Sequence, residues 1–326
     1  MLRLLILLLS VLAAFLPMVA YLLTIWWLDR YYRQPLWMVV AVFFWGAFGA
    51  VMLGIFGSQV LEMPLTRVFG YEATNAIGAI FVAPLVEEIA KGIILLLLAL
   101  RMDFSSVADG IVFGAAAGLG FGMTENFLYF NQVYDQSGFQ AWLQNIYVRT
   151  LYSAVMHAIS TSIFGMSLGF IKFRKIGHPW IVVLMGLFAA MGLHAFWNTC
   201  MVVGGGLRSG WIVQTGFSVL PLLVFAIFVI YEISLYGERR VIREELQEES
   251  QMGTIPPSHV PILSSYFKRN QRDWYPQEAD RERYISLAMS LAFKRHQSKI
   301  AKGRRYRKLE LMLSELRHQL AMLLHR

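Results

Sequence analysis

Seven apolar runs dominate this sequence, at about residues 4–28, 36–57, 73–100, 107–130, 148–171, 180–203 and 211–235. A helix needs about 20 apolar residues to cross a bilayer. In hydrocarbon, only helices and closed barrels satisfy their own backbone polar groups, and continuous runs of this length read as helices. The expected fold is therefore all-α, a polytopic membrane bundle of about seven transmembrane helices. Composition agrees, because charged residues make up only 15% against about 25% in soluble domains. The single cysteine, Cys200, excludes a disulfide framework and a cysteine-based zinc site. The first run is longer than a signal-peptide core and no A-x-A-like site follows it, so it reads as an uncleaved anchor.

Lysine and arginine in short loops set orientation. Arg30 and Arg33 follow the first run, Arg101 follows the third, and Lys172, Arg174 and Lys175 lie between the fifth and sixth. The alternate loops carry one each, Arg67, Arg149 and Arg208. The pattern predicts the N-terminus outside and the C-terminus in the cytoplasm. The segment 131–149 reads as an amphipathic loop on the outer interface. The chain divides into a transmembrane part, 1–235, and a basic cytoplasmic helical tail, 236–326. From residue 235 onward there are 18 Lys+Arg and 11 Asp+Glu, so the tail supplies +7 of the net charge of +8. Such a tail points to the anionic inner leaflet rather than to nucleic acid. Pro256, Pro257 and Pro261 suggest a linker, and helical patches follow near 278–297 and 306–324. The second patch has leucines at helical spacing, which suit a membrane surface, a partner, or the first patch.

The informative residues are the polar ones inside apolar runs, since a charge at the bilayer centre costs at least about 2.5–3.5 kcal/mol. The third run contains Pro84-Leu85-Val86-Glu87-Glu88-Ile89-Ala90-Lys91. On a helix Lys91 is i+3 from Glu88 and i+4 from Glu87, so it neutralises one carboxylate and leaves one over. The fourth run carries Gly110, Gly114, Gly118 and Gly122, a flat packing face, with Phe121, Glu125, Asn126 and Tyr129 beyond it. The fifth has Ser153, His157 and Thr161 at four-residue spacing, and the sixth has His194 and Asn198. At about 1.5 Å rise per residue, Glu87, Glu125, His157 and His194 lie roughly 8–20 Å below the outer surface, near enough for one cavity. Asp109 and Glu232 sit near run ends and are expected to reach water, as is His178 in its loop.

Three motifs fall in order on these runs: E-E-x-x-K at 87–91, F-x3-E at 121–125 and H-x3-N at 194–198. With them the chain resembles the PrsW family of intramembrane proteases. It is similar, more distantly, to the CAAX prenyl protease and bacteriocin-processing superfamily, whose pattern is E-E-x3-R, F-x3-H, H-x3-N. It departs from that wider pattern in having Lys91 one position early and Glu125 in place of histidine, with His157 able to supply an imidazole. The resemblance covers roughly residues 1–235 and says nothing of the tail. It implies a multi-pass protein of a prokaryotic plasma membrane that hydrolyses peptide bonds of membrane-anchored proteins, such as anti-sigma factors, near the outer side of the bilayer.

Hydrolysis needs an activated water, an oxyanion stabiliser and a proton donor. The expected catalytic set is Glu87, Glu88, Lys91, Glu125, His157, His194 and Asn198. Either Glu87 or Glu88 is the base and the other pairs with Lys91. His194 and Asn198 hold the water or the oxyanion, and His157 and Glu125 orient or shuttle protons. A second version places a divalent metal, zinc, on His157, His194 and Glu87, the His2Glu set of catalytic zinc, although no H-E-x-x-H is present. The metal-free version is favoured because Asn198 suits an oxyanion better than a metal. The rival functions are a proton- or ion-coupled transporter using the same Glu/Lys/His cluster and a membrane scaffold with a basic docking tail.

Overall fold

The computed structural model describes all residues except 102, 173, 175, 272, 273, 276, 277, 325 and 326; Lys175, counted above among the loop cations, lies outside the described set. Every described element is a helix. In order they are α1 (Leu2–Leu28), α2 (Leu36–Phe44), α3 (Val51–Phe69), α4 (Tyr71–Ile77), α5 (Ala83–Ala99), α6 (Val107–Val148), α7 (Ala154–Ile171), α8 (Pro179–Gly206), α9 (Gly210–Gln251), α10 (Val260–Leu263), α11 (Tyr266–Arg269), α12 (Glu278–Ser298) and α13 (Gly303–Leu324). Three wide π-helical turns, Trp45–Ala50, Gly78–Val82 and Arg149–Ser153, join α2 to α3, α4 to α5 and α6 to α7. The chain forms two compact units, one of residues 1–28 and 34–231, the other of residues 29–33 and 232–326.

In the first unit α6 is the central element. Every residue from 108 to 122 is buried, as a helix apolar on all sides must be. Its glycines let backbones meet: a Cβ at Gly110 would collide with the Gly165 carbonyl of α7, and one at Gly118 with the His157 carbonyl. By contrast α1 buries a single stripe, Ile6, Ser10, Ala14, Met18 and Leu22. The rest of its apolar surface is exposed, as suits lipid. Five helical stretches among the described residues are long and apolar enough to cross a membrane: Leu2–Leu28, Leu36–Phe69, Val107–Ile171, Pro179–Gly206 and Gly210–Gln251. Seven runs become five stretches for two reasons. Residues 107–171, which hold the fourth and fifth runs, form one 65-residue stretch, and the third run, whose helix carries Glu87, Glu88 and Lys91, is not among the five.

Two local expectations are corrected. Residues 131–149 are helical rather than a loop: α6 runs on to Val148, broken only at Gly138, whose φ is 77°. Beyond that break Trp142 is buried and donates Nε1–H to Ser10 Oγ at 2.9 Å, which ties this hairpin to α1. Asp109 does not reach water. It is 2% exposed, because it closes the capping box of α6 with Ser106 and accepts from Gln34 at 2.8 Å.

The second unit has its own core. Ile242 and Leu246 of α9 pack with Tyr284, Ala288, Leu291 and Ala292 of α12 and Leu313, Leu320 and Leu323 of α13. The leucine stripe of α13 thus pairs with α12. The proline segment is not a linker: Ile255, Val260 and Leu263 belong to this core. Glu232, expected in water, is about one-third exposed and pairs with Arg30 at 2.6 Å.

Candidate active site

Four elements deliver the polar residues to one place inside the first unit. The π turn Gly78–Val82 leads into α5 with Pro84 in its first turn, where a missing N–H is tolerated. From α5, Glu88 and Lys91 point inward, each essentially inaccessible, while Glu87 is 14% exposed at its side chain. Glu125 comes from α6, His157, Ser160 and Thr161 from α7, and His194 and Asn198 from α8.

Glu88 is fully engaged. Its Oε1 accepts from Lys91 Nζ at 2.6 Å, Ser160 Oγ at 2.9 Å and His194 Nδ1 at 3.0 Å, and its Oε2 accepts from Thr161 Oγ1 at 3.1 Å. Glu87 is the opposite case. Its Oε2 is buried without a hydrogen-bond partner, 4.0 Å from Lys91 Nζ and 3.7 Å from His194 Nε2. The two adjacent carboxylates, indistinguishable in the sequence, therefore hold different positions.

A second chain of contacts starts at Glu125. Its Oε2 accepts from His157 Nε2 at 2.6 Å and forms an ion pair with the Arg149 guanidinium, 2.8 Å away. His157 Nδ1 accepts from Lys91 Nζ at 3.2 Å. A carboxylate only accepts, so the proton sits on Nε2 of His157 and on Nδ1 of His194. The remaining lone pair of His194, on Nε2, faces Glu87. Three carboxylates and two cations leave one formal negative charge with both imidazoles neutral. The rings of His157 and His194 meet edge to face, with centroids 4.8 Å apart, and Phe121 packs 5.2 Å from His157.

Of the seven expected site residues, six converge here. The seventh, Asn198, turns its amide to the backbone, donating to the Ala79 carbonyl at 2.7 Å. The π turn leaves that carbonyl in need of a donor. Two contributors were not singled out in the sequence. Ser160 lies between His157 and Thr161. Arg149, counted only as a loop cation, also donates to Asn126 Oδ1 at 3.0 Å and stacks on Tyr129 at 3.9 Å. The four-residue spacing of Ser153, His157 and Thr161 runs back to Arg149, which is the signal that points to it.

Ligand atoms of Glu87, His157 and His194 lie within 4.8 Å of one another. Two are open, Glu87 Oε2 and His194 Nε2, and His157 would exchange one present hydrogen bond. His194 is already oriented through Nδ1 by a carboxylate, as metal-ligating histidines commonly are. The donor set fits a divalent cation.

The family described as PrsW family intramembrane metalloprotease matches residues 34–231. The chain belongs to that family. It is 24% identical to Protease PrsW of Oceanobacillus iheyensis over 72% of this chain and 99% of that protein. It is 30% identical to Protease PrsW of Halalkalibacterium halodurans over 59% of this chain and 82% of that one. The Bacillus subtilis Protease PrsW is 27% identical over 60% of this chain and 81% of its own length. No solved structure matches. The PrsW match contains the whole site and ends where the second unit begins. The protein is thus a PrsW-family intramembrane protease of a prokaryotic membrane, and the transporter alternative has no support.

Proposed function

We propose that this chain hydrolyses a peptide bond of a membrane-anchored protein, of the anti-sigma-factor kind, near the outer side of the bilayer. The observation that carries the reading is the open Oε2 of Glu87, a buried acceptor facing His194 Nε2 at 3.7 Å. The Lys/Arg distribution supports an outer-side site with the N-terminus outside.

A divalent metal, zinc in the first instance, would be held by Glu87, His157 and His194, and when bound would polarise the scissile carbonyl and acidify a water. The chain's own groups account for the rest. Glu88, anchored by four side-chain donors, stays an anion and fixes the ring of His194. Lys91 neutralises Glu88 and holds His157. Glu125, the most exposed of the three carboxylates, accepts the proton of the attacking water beside His157 and returns it to the leaving amine. Arg149 holds Glu125 in place. The metal-free version loses weight because the Asn198 amide is spent on Ala79 and not free for an oxyanion.

The test compares membrane-protein fragments in cells carrying the wild-type chain or Glu87→Gln, Glu88→Gln or His194→Ala at matched expression. A membrane-anchored protein that loses its outer domain only with the wild type supports the reading and identifies the substrate. Full activity of Glu87→Gln would sink the assignment. In washed membranes, 1,10-phenanthroline stops cleavage and zinc restores it; chelator-resistant cleavage returns the site to metal-free chemistry.

A further inference from the structure

Beyond residue 231, α9 carries six carboxylates, and each is occupied. Glu232 pairs with Arg30 and Glu244 with Arg240. Glu245, Glu248 and Glu249 are shared among Arg295, Lys299 and Arg317 of α12, its C-terminal extension and α13. Glu238 is buried and engaged. On the other side of the same helix, Arg239 and Arg243 stand one turn apart, exposed, with no ion-pair partner among the described residues. Lys268 of α11 shares a groove with them and is likewise unpaired. The groove holds about 480 Å³, and its lining includes Gln247, Ser264 and Ser265 but no carboxylate.

We infer that this groove binds a phosphate-bearing anion. Like charges at i,i+4 on a helix repel, and here no carboxylate among the described residues pairs with either. Guanidinium forks match phosphate oxygens in pairs, and the amide and hydroxyl donors of the lining add further hydrogen bonds. Pro257, Val260 and Pro261 form an apolar wall, suited to the organic part of a phosphate ester. The volume is in the range of small-ligand sites, about 300–1,000 Å³, and larger than a single phosphate group. Arg239 lies one helical turn past residue 235, the end of the last apolar run. A lipid headgroup and a soluble organophosphate both present the required chemistry. The site lies outside the residues matched by the PrsW family and does not depend on where or how the protease cuts.

The experiment uses the full chain in phosphatidylcholine nanodiscs and reads hydrogen–deuterium exchange of segment 239–268. One arm mixes phosphatidylglycerol into the discs, and the other adds glycerol 3-phosphate in solution. At least one probe protects the segment in the wild type; the first arm alone identifies a lipid headgroup, the second a soluble ester. Arg239→Gln/Arg243→Gln/Lys268→Gln raises the half-saturating concentration by at least about tenfold, the scale of lost charge-assisted hydrogen bonds. Arg304→Gln/Arg307→Gln/Lys308→Gln removes the same charge from exposed positions of α13 and keeps the wild-type response. Absence of protection by either probe, or an equal loss in both variants, overturns the inference.

Discussion

Lys91 is the residue on which the site's stability turns. It is wholly buried, donates to Glu88 at 2.6 Å and reaches His157 at 3.2 Å. Breaking a buried ion pair on one side costs about 3–5 kcal/mol, because an uncompensated charge is left behind. Lys91→Met therefore lowers the melting temperature in detergent, and adding Glu88→Gln recovers part of that loss without recovering cleavage. A Lys91→Met protein that melts like wild type would show that the pair has no structural role. Glu87→Gln, by contrast, removes an oxygen that holds nothing, so it abolishes cleavage with little change in melting. The sequence made most of these residues visible, since carboxylates, imidazoles and an ammonium are costly in apolar runs and so conspicuous there. It did not separate Glu87 from Glu88, because the difference lies in Ser160, Thr161 and His194 on other helices. Arg149 was hidden for a related reason, as a cation at a run's edge looks like a topology signal.

At the scale of elements, the approach of α6 to α7 fixes where His157 stands. Gly118 lies against the carbonyl of His157 with no room for a methyl group. Gly118→Ala forces the backbones apart, at the ~1–3 kcal/mol typical of overpacking, and moves the imidazole away from Glu125 and Lys91. Cleavage falls by about tenfold or more, since small displacements of catalytic groups are costly. Gly192 of α8 has nothing within 4 Å of an added Cβ, so Gly192→Ala melts and cleaves as wild type does. Equal effects at both glycines would refute the close-contact argument. The glycine ladder was legible as a packing face; its partner was not, because four-residue spacing names a face and not what it meets. The π turns were less legible still. Pro84 announced a disturbance in the third run, but the turn begins at Gly78 and depends on Asn198, more than a hundred residues later, to satisfy Ala79. Residues 131–149 read as a loop in the sequence because Gly138 and polar neighbours mark a break equally well in a loop or between two helical arms.

At the scale of the whole molecule, the chain joins a family core to a second unit with its own apolar core, and that unit carries two groups that respond to acid. His259 packs among Trp274, Tyr275 and Tyr284 and bonds the Tyr284 hydroxyl at 3.0 Å. Burial lowers its pKa below the ordinary histidine value. The unfolded unit then binds the proton more readily, so His259 contributes stability that is complete above about pH 6.5 and is lost as pH falls toward its folded value. Glu249 adds a second step: burial alone would raise its pKa, but the hydrogen bonds from Arg317 and Thr254 and the charge of Arg317 outweigh that and lower it. Its contribution is present above the ordinary carboxylate range and disappears below it. The tail's basic charge was plain in the sequence, but its acid sensitivity was not, because it arises from α9 glutamates closing on α12 and α13 and from an aromatic nest assembled around one histidine. Hydrogen exchange of α12, corrected for the intrinsic pH dependence of the chemistry, should therefore accelerate as the full chain is taken from pH 7.5 to about 5.5, and again near pH 4. His259→Phe keeps an aromatic ring in the nest and removes the titrating group, so it flattens the first step and leaves the second. Arg317→Gln weakens the second step and spares the first. A His259→Phe protein that retains the full acceleration between pH 7.5 and 5.5 would place the acid response elsewhere in the unit.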